Sequence, residues 1–316
     1  MTQQKPSLGA VKVVNHSENK VDSVGLAVGR PVYVDDMQIP GTLIAKVLWS
    51  PHAHARITSI NADKARALPG VVCVVTHEDV PRVLKTTGGQ GYPEPSPYDT
   101  TMLDNKVRYV GDRVAAVAAE TREIAEEALA LIEVEYELLE PMLDVRTADA
   151  EGAPVIHDEP DARAIIPVPY FPEKNVAAVV DMAVGDVDGA LAQSDLVIEH
   201  ETETQYGQHC PIEPHVTLCY LDENDRLVIR TSTQVPFHVR RIVAQALEIP
   251  VRKIRVIKPR IGGGFGAKQE VLEDLVALLC VRTRRPVKLE YTRAEEFVSS
   301  RTRHPSVVKV TAGFNK

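Results

Sequence analysis

Between Arg255 and Leu279 the chain reads RVIKPRIGGGFGAKQEVLEDLVALL, with four glycines in the five positions 262–266. A glycine-rich stretch between a strand and a helix does its chemistry through the backbone: N–H groups donate to a ligand, and the missing side chains let that ligand approach. Gly262, Gly264 and Ala267 satisfy the G-x-G-x-x-[G/A] pattern of a dinucleotide site. Three features oppose it. Glu290, the acid at the end of the next strand, lies 28 positions after Gly262, where the pattern wants about 20. Glu270, Glu273 and Asp274 already fill the positive end of the following helix, where a pyrophosphate would sit. Too little chain follows to complete a doubly wound sheet. A P-loop fares worse, because Ala267 replaces the glycine before Lys268 and Gln269 replaces the magnesium-binding Ser or Thr. A tight turn needs one or two glycines, whereas GGGFG bares a whole stretch and leaves one ring, Phe265. Backbone contact with a ligand is therefore expected, with a plain tight turn as the alternative.

Other residues could join that chemistry. Gln234 follows an alternating strand and stands two residues before Pro236, which places an amide at a strand's C-terminal end, where open sheets form ligand crevices; it could equally cap the helix that follows. QHCPIEPH supplies His209, Cys210, Glu213 and His215, the residue types of a transition-metal site, but no strict ligand spacing, so polar loop residues beside a core are expected. Arg240, Arg241, Arg252, Lys253, Arg255, Lys258 and Arg260 read as a solvated basic face, with attraction of an anionic cofactor or partner as the other possibility. No Ser-His-Asp or Cys-His arrangement is apparent, nor any acidic pair spaced for acid–base work.

The elements that must position these residues follow from periodicity. TREIAEEALALIEVEYE reads as a helix capped by Thr121 that runs into an alternating strand. TLIAKVLWS and GVVCVVTH read as strands, and KTTGGQGYPEPSPY as an exposed loop. Prolines at 141, 154, 160, 167, 169 and 172 mark an extended connector. Beyond it come the strand LVIEHETETQ, a hairpin turning at Asp222 to Asp225, and a helix from Pro236 whose buried stripe is Val239, Ile242, Val243, Ala246 and Leu247. The strand KIRVIK, the glycine turn, a helix carrying Leu272, Leu275, Val276 and Leu279, the strand VKLEY and the capping box TRAE follow. The final VKVTAGF alternates like one arm of a hairpin whose return strand is missing, the mark of an incomplete domain that needs another chain to finish its sheet.

At 316 residues two domains are expected from a prior of about 150 residues each. No apolar run approaches the ~20 residues of a membrane span, and the N-terminus lacks a signal layout, so a cytoplasmic protein is expected. Four scattered cysteines exclude an iron–sulfur or zinc motif within the chain, and a net charge of −8 disfavours nucleic acid.

The stretch STQVPFHVRRIVAQALEIPVRKIRVIKPRIGGGFGAKQEVLED resembles the molybdenum-binding subunit of bacterial xanthine dehydrogenases, in the molybdenum hydroxylase family. GRPVYVDDMQIPGTLIAKVLWSPHAHARI, ALPGVVCVVTHEDVP and VRYVGDRVAAVAAETREIAEEALALIEVEYELLEP resemble that family's α/β hammerhead domain, and HCPIEPH its entry into the molybdenum-cofactor domain. The implied fold is α+β: a flexible tail (1–20), a hammerhead domain (21–145), a Pro-rich connector (146–175) and the first, incomplete part of a molybdopterin-binding domain (176–316).

The resemblance implies a molybdenum–oxo–sulfido centre on a pterin dithiolene, in the cytosine dinucleotide form, that hydroxylates an electron-poor carbon with oxygen from water. Electrons would leave through [2Fe-2S] clusters and FAD on partner subunits. Gln234, Gly263, Gly264, Phe265 and Gly266 would surround the cofactor, Gln234 and Phe265 nearest the molybdenum, and Gln269 and Glu270 would meet substrate. Many purine-oxidising relatives carry Glu where Gln269 stands, a departure that counts against a purine, although Gln can still hydrogen-bond a heterocycle without supplying charge. The resemblance as a whole implies a purine or similar N-heterocycle as substrate, with an aldehyde or other heteroaromatic compound, or a non-catalytic assembly role, as alternatives. The family's catalytic glutamate falls in sequence this chain lacks. The chain is thus expected to be inactive alone and to need a second molybdenum-domain chain, as a split subunit or a fragment.

Overall fold

The computed structural model describes residues 16–30, 32–88, 91, 93, 96–269 and 271–316. Two units are distinguished, residues 1–32 and 33–316. In the first, the described structure is one short helix, α1 (Ser23–Ala27).

The second unit is built on a mixed sheet of seven strands. Its elements in chain order are β1 (Leu43–Trp49), β2 (Ala55–Asn61), α2 (Asp63–Ala67), β3 (Val71–Thr76), β4 (Lys106–Val107), β5 (Arg113–Ala119), α3 (Arg122–Ala130), β6 (Glu133–Leu138), α4 (Val187–Ala192), β7 (Leu196–Thr204), β8 (Val216–Leu221), β9 (Leu227–Thr231), α5 (Pro236–Ala246), β10 (Ile254–Ile257), α6 (Glu273–Thr283), β11 (Val287–Glu290), α7 (Arg293–Ser299) and β12 (Ser306–Phe314). The large sheet runs β10-β9-β8-β11-β1-β5-β3. Its β10–β9 and β1–β11 pairs are parallel and the rest antiparallel. A small sheet, β4-β2-β6, stands beside it.

Strand β5, RVAAVAA, is buried at six of its seven positions because both faces are covered. Ala116 and Ala118 face the larger core with Leu43, Ala45 and Val47 of β1, the α5 stripe and α6. Ala115, Val117 and Ala119 face the opposite core, closed by Ala125 and Ala128 of α3. Small side chains on β5 let helices pack closely on both faces. Thr121 caps α3 as its sequence requires, its Oγ1 accepting from the Ile124 N–H at 3.3 Å.

Two features of the organisation lie beyond what the sequence alone shows. The stretches on either side of the Pro-rich connector share the large sheet, joined where Leu43 to Ala45 of β1 pair with Val287 to Leu289 of β11. The connector itself is fastened to the first stretch by ion pairs: Asp158 with Arg56 and Lys106, Glu159 with Arg108, Asp161 with Arg82. The final strand is the second such feature. Its partner lies within the chain, because β12 pairs with β7 over nine residues, from Ser306 opposite Thr204 to Phe314 opposite Leu196. That pair forms a two-stranded ribbon of its own. Directly opposed residues share a face, so Leu196, Ile198, Val308, Val310, Ala312 and Phe314 lie together on one side, and Glu199, Glu201, Glu203 and Lys309 on the other. Arg146 bridges Glu201 and Glu203, whereas Leu196, Ile198, Val308, Val310 and Phe314 are all exposed.

Candidate functional site

The glycine turn connects β10 to α6 and is held at both ends by side chains from distant segments. At its start the Gly262 N–H donates to Glu213 Oε2 at 2.8 Å, and the Glu213 N–H returns a bond to the Gly262 carbonyl at 3.2 Å. At its end the Gly266 N–H donates to Gln234 Oε1 at 2.8 Å. Gln234 is itself fixed by its own N–H, which donates to the Lys268 carbonyl at 2.8 Å. Lys268 closes the arrangement: its side chain is fully buried, and Nζ donates to Glu213 Oε2 at 2.6 Å. Burial pulls the Lys268 pKa down, and the Glu213 carboxylate opposes part of that fall.

The need for glycine is steric. A Cβ on Gly264 would stand 2.5 Å from Gln234 Oε1, and one on Gly262 2.5 Å from the Glu213 Cβ. Among the described residues, the N–H groups of Gly263, Gly264 and Phe265 have no hydrogen-bond partner, and neither has Gln234 Nε2. Three successive backbone donors and an amide are thus available, while the nearest carboxylate, on Glu213, is engaged by Lys268 and Gly262. Phe265 adopts a left-handed backbone, φ 53°, and its ring is 73% exposed.

Gln234 and Gln269 line one cavity of about 350 Å³, together with Val235, Pro236, Phe237, His238 and Arg241. Phe265 is absent from that lining; its ring lies over Gly263, where an added Cβ would be 3.2 Å from the ring edge. Glu270 lies outside the described residues. The aromatic residue of the cavity is Phe237, which sequence reasoning did not single out. Its one signal was an aromatic at the start of a helix, off the apolar stripe.

HCPIEPH does not converge on a metal, and no group of three His, Cys, Asp or Glu side chains among the described residues is placed to hold one. His215 is buried with Nδ1 2.9 Å from Glu296 Oε2, which also accepts from the His215 N–H. Burial raises the Glu296 carboxyl, but its bonds to His215 and the charge of Lys268 outweigh that, and its pKa is lowered. His209 Nδ1 lies 3.2 Å from the Arg301 carbonyl, and Cys210 is exposed. Thiol chemistry finds no support in the core: burial raises Cys219 and pushes Cys280 up to about 12.

The acids after the turn take up structural partners. Glu273 accepts from Thr231 Oγ1 at 2.6 Å, while Asp274 pairs with Lys85 and with Arg113 at 3.2 Å. Of the basic residues, Arg240 donates to the Val251 and Ile254 carbonyls, and Arg252, Lys253, Arg255 and Lys258 are exposed. A solvated face describes those four; Arg240 and Arg241 are instead engaged by backbone carbonyls.

Residues 170–316 match the molybdopterin cofactor-binding domain family, and residues 28–140 match the aldehyde oxidase and xanthine dehydrogenase a/b hammerhead domain family. The "Probable hypoxanthine oxidase XdhD" of Escherichia coli (strain K12) is 43% identical over 330 residues, which cover 97% of this chain and 34% of that protein. The nicotinate dehydrogenase large molybdopterin subunit of Eubacterium barkeri is 34% identical over 306 residues, covering 96% of this chain and 67% of that subunit. Quinoline 2-oxidoreductase from Pseudomonas putida 86 superimposes with a TM-score of 0.75 and 29% identity, over 95% of this chain and 37% of that one. The chain spans about a third of the length of XdhD.

Proposed function

Because the chain belongs to the molybdenum hydroxylase family of xanthine dehydrogenases and aldehyde oxidases, we propose that it supplies one side of the cofactor site of an enzyme that oxidises purines or similar N-heterocycles. Gln234 and the backbone of Gly263, Gly264, Phe265 and Gly266 would hold molybdopterin, in its cytosine dinucleotide form. The single observation that carries this assignment is the row of backbone N–H groups at Gly263, Gly264 and Phe265, unpartnered among the described residues, beside an amide whose Oε1 is already fixed by Gly266. A metal–oxo group on a pterin is an acceptor-rich, polar ligand. Neutral donors suit it, and among the described residues the carboxylate bonded to the turn, Glu213, is tied up by Lys268.

When bound, that group supplies the redox chemistry by which oxygen from water is added to an electron-poor carbon. The chain's own residues do the positioning. Gln234, locked through its own N–H and through Gly266, presents the free end of its amide without a rotamer search. Gln269, on the same cavity as Gln234, would hydrogen-bond the edge of a heterocycle. A neutral amide there takes either a donor or an acceptor edge, which also favours heteroaromatic substrates beyond purines.

The partners in this reading are a chain carrying the remaining molybdenum-domain sequence with the catalytic glutamate, an iron–sulfur subunit with [2Fe-2S] clusters and a FAD subunit. Alone, this chain would be inactive. Four free thiols and no disulfide are in keeping with a cytoplasmic setting. In the assembled complex, Gln234→Ala should lower turnover about a hundredfold, the scale of losing one positioned donor, while the melting temperature stays near that of the wild type. Wild-type turnover at full molybdenum content, measured by elemental analysis, would sink the assignment.

A further inference from the structure

We infer that Phe237 is the aromatic wall on which substrate lies, and that it makes the site select flat aromatic molecules over aliphatic ones. The inference rests on the proposed site at Gln234 and adds to it the substrate-facing surface.

Helix packing gives no reason for a ring at this position. The inward stripe of α5 is complete with Val239, Ile242, Val243 and Ala246, all buried, whereas Phe237 is 76% exposed. A scattered exposed aromatic would need no explanation. This one lines the cavity that also contains Gln234 and Gln269, the two amides of the candidate site. The backbone leading into it is fixed: Pro236 sets the first helical φ, and Gln234, two residues before Pro236, is bonded through its N–H to the Lys268 carbonyl. The ring therefore starts from a rigid helix end.

The cavity's size and chemistry agree on a class of occupant. About 350 Å³ is near the lower end for small-molecule sites, room for one or two fused rings. Its lining combines one ring, two amides, a histidine and Arg241, with no carboxylate among the described lining residues. Arg241 is one turn beyond Phe237 and is held by its bond to the Gly91 carbonyl at 3.2 Å. A flat N-heterocycle offers a π face to Phe237 and donor and acceptor edges to the amides. An aliphatic aldehyde offers the amides one carbonyl acceptor, no donor edge, and no π face to the ring.

The test uses the assembled, molybdenum-containing complex with Phe237→Leu, which keeps the apolar bulk and removes the π face, and Phe237→Tyr, which restores it. Substrates are hypoxanthine, benzaldehyde and butanal. Phe237→Leu should raise KM for hypoxanthine and benzaldehyde roughly tenfold with kcat nearly unchanged, leave KM for butanal where it was, and be rescued by Phe237→Tyr. Unchanged aromatic KM values in the Leu variant, or an equal rise for butanal, would overturn the inference. Equal molybdenum content and melting temperature across the variants are expected, because Phe237 is exposed. If the wild type lacks molybdenum or oxidises none of the three, the proposed function fails. Equilibrium dialysis of labelled hypoxanthine then decides the inference separately: weaker binding to the Leu variant than to the wild type supports it, and equal or absent binding refutes it.

Discussion

Glu213 and Gln234 hold the two ends of the glycine turn, and their roles differ in kind. Glu213 is the counter-ion of a fully buried lysine, so Glu213→Ala would strand the Lys268 ammonium and free the Gly262 N–H. Breaking a buried ion pair on one side costs about 3 kcal/mol or more; urea denaturation of this variant should show that loss, whereas a change within about 0.5 kcal/mol, typical of a surface site, would contradict the anchoring role. Glu296 makes a pH prediction. Its folded pKa lies below the ordinary 4.5, so the stability it contributes is complete above pH 4.5 and is lost as pH falls through the lowered value. Melting temperature should therefore drop as the solution is acidified below that point, and Glu296→Gln should flatten the drop while lowering stability at neutral pH. Gln234 stands out in the sequence by its place between a strand and a helix-starting proline, but its side chain does not cap that helix and its bond from the Gly266 N–H could not be read there. Glu213 was not, because its partner Lys268 lies 55 residues away and no local pattern links them. Phe237 was hidden by the same limit: periodicity says that it is off the stripe, and only the assembled cavity says what it faces.

At the level of elements, caps and alternation were the readable signals. The TRAE box forms as written, the Thr292 Oγ1 accepting from the Glu295 N–H at 3.1 Å and Glu295 Oε2 accepting from the Thr292 N–H at 2.6 Å. Thr292→Ala should cost about 1 kcal/mol, read as a shifted denaturation midpoint with an unchanged slope. The α3 cap and the α5 stripe likewise match their sequences, since both are decided within a few residues. Strand pairing is decided across the chain, which is why the partner of VKVTAGF, β7 from an earlier segment, could not be read from its own alternation. Alternation did place apolar residues on one face of that ribbon, where they remain exposed. Val310→Lys at the middle of this face should reduce self-association in light scattering and change stability by no more than about 0.5 kcal/mol. Undiminished association would show that the ribbon is not the adhesive surface.

Over the whole molecule, the sequence reveals two family domains and the structure joins them through one sheet. Asp274 of α6 strengthens that joint by pairing with Lys85 and Arg113 from the first stretch, inside the core. One cooperative unfolding transition follows for residues 33–316. Trp49, the single tryptophan, lies in β1 and reports on the first stretch, while far-ultraviolet circular dichroism includes α5 and α6. The two signals should melt at one midpoint; separate midpoints would mean that the stretches fold as independent modules. The shared sheet was invisible to domain reasoning because a proline-rich connector looks alike whether it links separate bodies or is fastened along one.

The β1–β11 pair also bears on how the molecule is made. During synthesis Leu43 to Ala45 emerge early, yet the strand that covers their open edge begins at Val287 and leaves the ribosome only after the connector, the glycine turn and α6. Until then β1 offers an apolar, unpaired edge to every other nascent chain nearby. A chaperone that shields β1 through that interval would raise the yield of soluble protein, and slowing translation beyond the hammerhead segment would lower it.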